Sequence, residues 1–484
     1  MLVQNEWRHD TRVIREAEAL ARRGLDVHVV CRSFGGPTRQ ETRNGVTYHP
    51  LPLRSDEGLR DGLAYCRLHL LVLLASLRRR LPVGLAGAPR LRLAATTVTA
   101  VSVGLALLLA PGLAVVAFLT LWARSPLPGR GRARRALDRL YLAGRPAIAP
   151  FRYLNEFART STPTILSLRP HCVHAHDLVT LSTGILVAGR MGAAVVYDAH
   201  ELERHTNYHA LGAGTKRWIA RYEAMLAPLA DGVVTVCDSI ADWLQEEYAI
   251  ERPTVVLNVP TTSAGGEGAA PADVRSTLGL RRDTPLAVYV GSVTVDRGLD
   301  VCVRALTHAP ELHLATVGPR YSETERELLD LAASLGVSDR LHLLEAVAPH
   351  ELIPFIRTAD CSVMAIQNVC LSYYYCFPNK LLESVYAGLP VAVADLVELR
   401  RFVTENGVGV VMDERDPLSV ARAVCTLVTD SRSYRPSPEQ VAEIADRYGW
   451  PRQEEHLVAL YDGLGHRSAT SGSPRRGEAR CAVS

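Results

Sequence analysis

The sequence predicts an α/β protein of two doubly wound halves facing a cleft, with an apolar insertion in the first half. Three observations carry this. Short apolar runs alternate twice with helical patterns, a Gly/Ala/Ser/Pro-rich stretch separates the two alternations, and 31 consecutive uncharged residues interrupt the first. The 484-residue length fits two or three domains at roughly 150 residues each. With 48% apolar and 22% charged residues the chain has ample core. Its 54 basic and 51 acidic side chains leave a net charge of +3, so no nucleic-acid partner is expected.

The first part of the N-terminal half, 1–54, has helical spacing over Thr11–Arg23 and strands at Leu25–Cys31 and Val46–His49. Leu2–Gln4 reads as the remnant of a first strand, so the chain is expected to begin inside or after it. The half resumes over 151–260, with strands at Cys172–Ala175, Ala194–Tyr197, Gly232–Val236 and Thr254–Leu257. Helices are predicted between them, at Leu181–Arg190, Lys216–Ala227 and Ile240–Tyr248. A linker follows over 261–280, since Pro260–Asp273 has linker composition. The second half, 281–445, repeats the alternation from Leu286–Val290 to Val408–Val411. Such parallel sheets bind ligands beyond the carboxyl ends of their strands. The tail 466–484 is Ser/Gly/Arg-rich and is expected to be disordered.

Within the insertion, 55–150, no charge occurs from Leu93 to Ala123, longer than the ~20 residues of a membrane-spanning helix. Pro111-Gly112 breaks the run and both flanks are arginine-rich, so a single crossing would separate two cytoplasmic-type flanks. A re-entrant hairpin keeps them together; the competing reading is a buried helical pair. Membrane contact at the cytoplasmic face, monotopic or peripheral, is the expectation. The ten cysteines form no Cys-x-x-Cys pair, and the N-terminus has no signal-peptide core, which fits a reducing cytosol.

Three places could carry chemistry. Tyr289-Val-Gly-Ser-Val-Thr-Val-Asp-Arg-Gly298 is a strand, a loop through Gly291 and a helix start, where backbone N–H groups and Arg297 could seat a phosphate. It matches neither a Walker nor a G-x-G-x-x-G pattern, and an ordinary strand–helix turn explains it as well. Phe377-Pro-Asn-Lys-Leu-Leu-Glu383 places Lys380, one of only two lysines, in a first helical turn with Glu383 at i+3. A cation beside a carboxylate suits a nucleotide, and equally a surface ion pair. The strand ends His174-Ala-His-Asp177 and Asp198-Ala-His-Glu201 could hold a metal, position an acceptor hydroxyl, or form a hydrogen-bonded loop network.

Together these segments resemble the retaining GT-B glycosyltransferases of family 4 (group 1-like). The likeness includes His9-Asp-Thr-Arg-Val-Ile-Arg-Glu-Ala17, the two His/Asp strand ends, Tyr289-Val-Gly-Ser, the Pro-Asn-Lys-Leu-Leu-Glu block and Tyr448-Gly-Trp-Pro-Arg-Gln-Glu-Glu455. It implies two Rossmann-like domains and a closing helix, 446–465, that crosses back to the N-terminal one. It implies His200 as catalytic, Gly291, Arg297 and Lys380 at the donor diphosphate, and Glu383 at the ribose. The loop Ala346–His350 would border the base. Asp10, His176, Asp177 and Glu201 would face the acceptor. Many relatives carry a glutamate eight residues before Glu383, contacting the donor sugar; this chain has Tyr375, so Tyr375 and Asn379 are the candidates there.

The implied reaction moves a sugar with retention from a nucleotide-diphosphate donor, UDP or GDP type, to a glycolipid or saccharide, with no metal or other cofactor. Two other readings stand beside it. One is a metal-dependent hydrolase using His174, His176, Asp177, Asp198 and His200; the other is a non-catalytic GT-B scaffold.

Overall fold

The computed structural model describes residues 1–33, 39–52, 156–207, 213–260 and 273–470. The insertion at 55–150, with its expected hairpin, lies outside the described residues. Among the described residues no helix is long and apolar enough to cross a membrane.

The first sheet contains β1 (Val27–Ser33), β2 (Glu41–Arg43), β3 (Val46–Pro52), β4 (Cys172–His176), β5 (Ala194–Ala199), β6 (Gly232–Thr235) and β7 (Thr254–Val255). Its order is β2-β3-β1 on one side and β4-β5-β6-β7 on the other. All neighbours are parallel except the edge pair β2–β3. Met1–Val3 fills the gap between β1 and β4. Leu2 N donates to His174 O at 2.7 Å, His176 N to Leu2 O at 3.1 Å, and Val3 N to Val30 O at 3.0 Å. These are the residues read as the remnant of a first strand, and in extended form they bond to both neighbours.

The second sheet is wholly parallel: β8 (Leu286–Val290), β9 (His313–Val317), β10 (Leu341–Leu344), β11 (Cys361–Met364), β12 (Val391–Ala394) and β13 (Gly409–Met412). The order β10-β9-β8-β11-β12-β13 places a topological switch between β8 and β11. Strands β8, β11 and β12 are buried at every position, as helices on both faces of a parallel sheet require.

Two expected boundaries shift. The linker range contains a helix, Val274–Leu278, because Asp273 accepts from Arg275 N and Ser276 N while Asp273 N donates to Ser276 Oγ. The last helix, Trp450–Thr470, runs four residues beyond the expected start of the tail. It crosses onto the first half, where Leu457 joins the core of β1 and β3. There Gln453 Oε1 accepts from Leu257 N at 2.9 Å, and Tyr461 Oη lies 2.9 Å from His174 Nδ1.

The halves also touch directly. Ser239 N and Oγ donate to Glu398 Oε1 at 2.9 and 2.6 Å, and Asn207 Nδ2 donates to Asp296 Oδ2 at 2.6 Å. These bonds hold the carboxyl ends of the two sheets face to face.

Candidate functional site

A cavity of about 450 Å³ lies between the halves, within the range of small-molecule sites. Asp10, Arg12, His200 and Glu201 line it from the first half. Gly291, Arg297, Asn379, Lys380 and Glu383 line it from the second.

The first-half wall rests on a buried polar network. Helix Thr11–Arg22 starts at Asp10, whose carboxylate accepts from Val13 N at 3.2 Å. Arg12 and Glu16, one turn apart on its buried face, are 3% and 0% exposed. Arg12 donates from Nε and Nη2 to the two oxygens of Asp198, at 2.9 and 2.8 Å, and from Nη1 to Val256 O at 2.6 Å. Such a bidentate fork recovers part of the cost of burying both charges. Burial would push the Asp198 carboxyl up, but Arg12, His200 and the histidine hydrogen bonds hold it well below the usual range.

Asp198 also receives His176 Nδ1 and His200 Nε2, each at 3.0 Å. The other His200 nitrogen lies 3.3 Å from Asp177 Oδ1. Burial lowers the His200 pKa, but Asp177 and Asp198 outweigh it and raise it to about 10. His200 is thus an imidazolium clamped at both nitrogens, suited to stabilising negative charge rather than accepting a proton. Asp177 sits at φ 60°, a left-handed strain tolerated where hydrogen bonding holds the residue.

The opposite wall is built around Gly291, at φ +120°. Lys380 Nζ lies so close that a Cβ at Gly291 would meet it at 3.0 Å, so glycine makes room for the ammonium. Lys380 donates to Tyr289 Oη at 3.0 Å and sits 4.3 Å from the ring centroid. Burial, then Arg297, lowers its pKa to about 7. Arg297 stacks over Tyr373, 5.0 Å from its centroid. Gly298 begins the next helix at φ 67°, where a Cβ would strike Ala365 O at 2.0 Å. Helix Asn379–Tyr386 is seated by Phe377, which packs against Phe402 and Tyr448. Burial raises the Glu383 pKa.

Of the residues singled out in the sequence, His200, Gly291, Arg297, Lys380, Glu383, Asn379, Asp10 and Glu201 meet at this cavity. His176 lies beneath it, 1% exposed, and Asp177 stands behind His200. Tyr375 does not line it; its carbonyl accepts from Cys237 Sγ at 3.0 Å, and its ring lies against Tyr374. Ala346–His350 does not line it either. Arg12, Glu16 and Asn258 went unassigned in the sequence reading. An arginine and a glutamate on the apolar face of an amphipathic helix were the available signal for the first two; Asn258, in a loop, carried none.

Glu16, His174, His176 and Asp198 bring possible metal-ligand atoms within 4.8 Å of one another, all four side chains buried. The Arg12 guanidinium already occupies both Asp198 oxygens there, placing a positive charge where a cation would have to sit. The hydrolase reading gains no support from this arrangement.

Family models match both halves: "Glycosyl transferases group 1" over residues 284–430 and "Glycosyltransferase Family 4" over 108–259. A D-inositol 3-phosphate glycosyltransferase of Stackebrandtia nassauensis is 28% identical over 323 residues, covering 63% of this chain and 71% of the relative. Sucrose-phosphate synthase from Thermosynechococcus elongatus aligns with a TM-score of 0.63 at 15% identity, over 94% of this chain and 93% of that one. WaaG, a glycosyltransferase involved in lipopolysaccharide biosynthesis, aligns at 0.55 and 14% identity, over 95% and 99%. At these identities the structures speak to the fold, which is GT-B. With both halves matched and the two sheets facing one cavity, the chain belongs to the group 1, family 4 glycosyltransferases.

Proposed function

We propose that this enzyme transfers a sugar, with retention and without a metal, from a nucleoside diphosphate donor to a hydroxyl of a saccharide or glycolipid. The observation that carries the reading is the convergence of Arg297 and Lys380 from one half and His200 and Glu201 from the other on a single cavity. In the proposed step the bond from the anomeric carbon to the diphosphate oxygen breaks, and its electron pair leaves with the diphosphate. Arg297 and Lys380 stabilise that charge, the role metal ions play elsewhere. The acceptor oxygen bonds to the same face of the anomeric carbon and its proton passes to the departing diphosphate. Glu383 takes the ribose hydroxyls, Asn379 reaches the donor sugar, and His200 supplies positive charge beside it. Residues 55–150 would seat the enzyme on the cytoplasmic membrane face, a reading supported by the uncharged run and its arginine flanks.

Calorimetry of UDP, GDP, ADP and dTDP, with and without EDTA, tests the donor site. One nucleotide is expected to bind regardless of chelator; binding by none of the four would sink the proposal.

The same titration has a pH signature. Burial, then Arg297, brings the Lys380 pKa to about 7, so above pH 7 this side chain is mostly neutral until a diphosphate binds. A bound diphosphate favours the charged form, so binding takes up a proton at pH 8. Affinity then falls with rising pH, by up to about tenfold per unit for one linked proton. Calorimetry in buffers of different ionisation enthalpy reads the uptake directly, and Lys380→Met is expected to remove it.

A further inference from the structure

The two walls of the cavity carry opposite charge. On the second-half wall Arg297 and Lys380 stand against Glu383 alone. On the first-half wall the only cations lining the cavity, Arg12 and His200, are already engaged. Arg12 is bound to both oxygens of Asp198, and His200 is held between Asp198 and Asp177. Asp10 and Glu201 complete that wall with two more carboxylates. Glu201 makes no ion pair among the described residues; burial, then Asp177, raises its pKa to about 7, so it is a carboxylate above that pH. Once a donor diphosphate occupies Arg297 and Lys380, no uncommitted cation lining the cavity is left among the described residues for a second phosphate.

Resting on the glycosyl-transfer reading above, we infer that Glu201 and Asp10 select an acceptor whose reacting ring is a neutral polyol or sugar without a phosphate. Carboxylates accept hydrogen bonds from ring hydroxyls, whereas a phosphate ester beside them meets like charge with no uncommitted cation lining the cavity among the described residues to offset it. D-inositol 3-phosphate, for which the relatives above are named, is a ring that bears a phosphate. This chain, at 28% identity to one of them, presents a wall that disfavours that group. The selection works by repulsion as well as attraction: hydroxyls of the correct ring pair with Glu201, and the phosphorylated ring is refused.

The test uses the full-length enzyme at pH 8, where Glu201 is ionised, saturated with whichever nucleoside diphosphate it binds, so that the donor cations are filled. D-inositol 3-phosphate and myo-inositol are then titrated against it by ligand-observed NMR. The wild-type complex is expected to leave D-inositol 3-phosphate unbound. Glu201→Gln is expected to tighten its binding by roughly tenfold or more, because the like charge is gone. Asp10→Asn, which keeps an acceptor for Val13 N, is expected to act in the same direction, and thermal melting shows that each variant folds. D-inositol 3-phosphate binding the wild-type complex more tightly than myo-inositol would overturn the inference, as would two folded variants that leave its affinity unchanged. Failure of every nucleotide to bind would instead bring down the glycosyl-transfer reading, so the two failures are told apart in one experiment.

Discussion

Replacing Lys380 by alanine is expected to lower turnover by about 10²–10³-fold, the usual loss when one preorganised donor to a developing negative charge is removed. The size of the effect follows from geometry. Lys380 is held against Gly291 and Tyr289 in a cavity wall, so its ammonium needs no reorganisation when the diphosphate departs. Arg297 is its partner cation at the cavity; burial, and then the nearness of Arg297, lowers the lysine pKa to about 7. Lys380→Arg is expected to remain impaired despite keeping the charge. The space beside Gly291 fits a compact ammonium, and a planar guanidinium demands a different one. Initial rates at saturating donor, alongside nucleotide affinity, check both variants. Wild-type rates in Lys380→Ala would remove this side chain from leaving-group stabilisation.

The second large effect concerns stability. Arg12→Ala leaves Asp198 buried without its bidentate partner and Val256 O without its donor. Breaking a buried pair from one side costs about 3–5 kcal/mol, because the remaining charge stays unsolvated. Replacing both partners, Arg12→Met with Asp198→Asn, is expected to cost less than the sum of the single changes, since no Asp198 carboxylate is then stranded. Urea unfolding of Arg12→Ala, Arg12→Met, Asp198→Asn and the double variant measures this. Additive losses would show that Arg12 and Asp198 do not act as a pair. His200 loses one of its two clamps whenever Asp198 is changed, so activity is expected to fall in the double variant even where stability returns.

Much of the fold was legible because fully buried parallel strands must be unbroken apolar runs. Leu286–Val290 was read at its observed bounds for that reason. The Lys380–Glu383 spacing was legible because a helical turn fixes which residues are neighbours. Other features were set by contacts remote in sequence. Tyr375 fell at the residue spacing of a sugar contact, yet its carbonyl meets Cys237 from the other half and its side chain stays out of the cavity. Arg12 lies 186 residues from Asp198, and no local pattern joins them.

The sequence by itself determined the two parallel sheets, the helix carrying Lys380 and the strand ends carrying His200 and Glu201. Periodicity and turn chemistry are local, and the chain cannot bury its apolar runs otherwise. Only the tertiary structure decided that Met1–Val3 bonds to both β1 and β4 and that His200 is clamped as a cation. It alone set a carboxylate wall opposite a cationic one. Each of these depends on which side chains share a low-dielectric space, and that is settled by packing between distant segments.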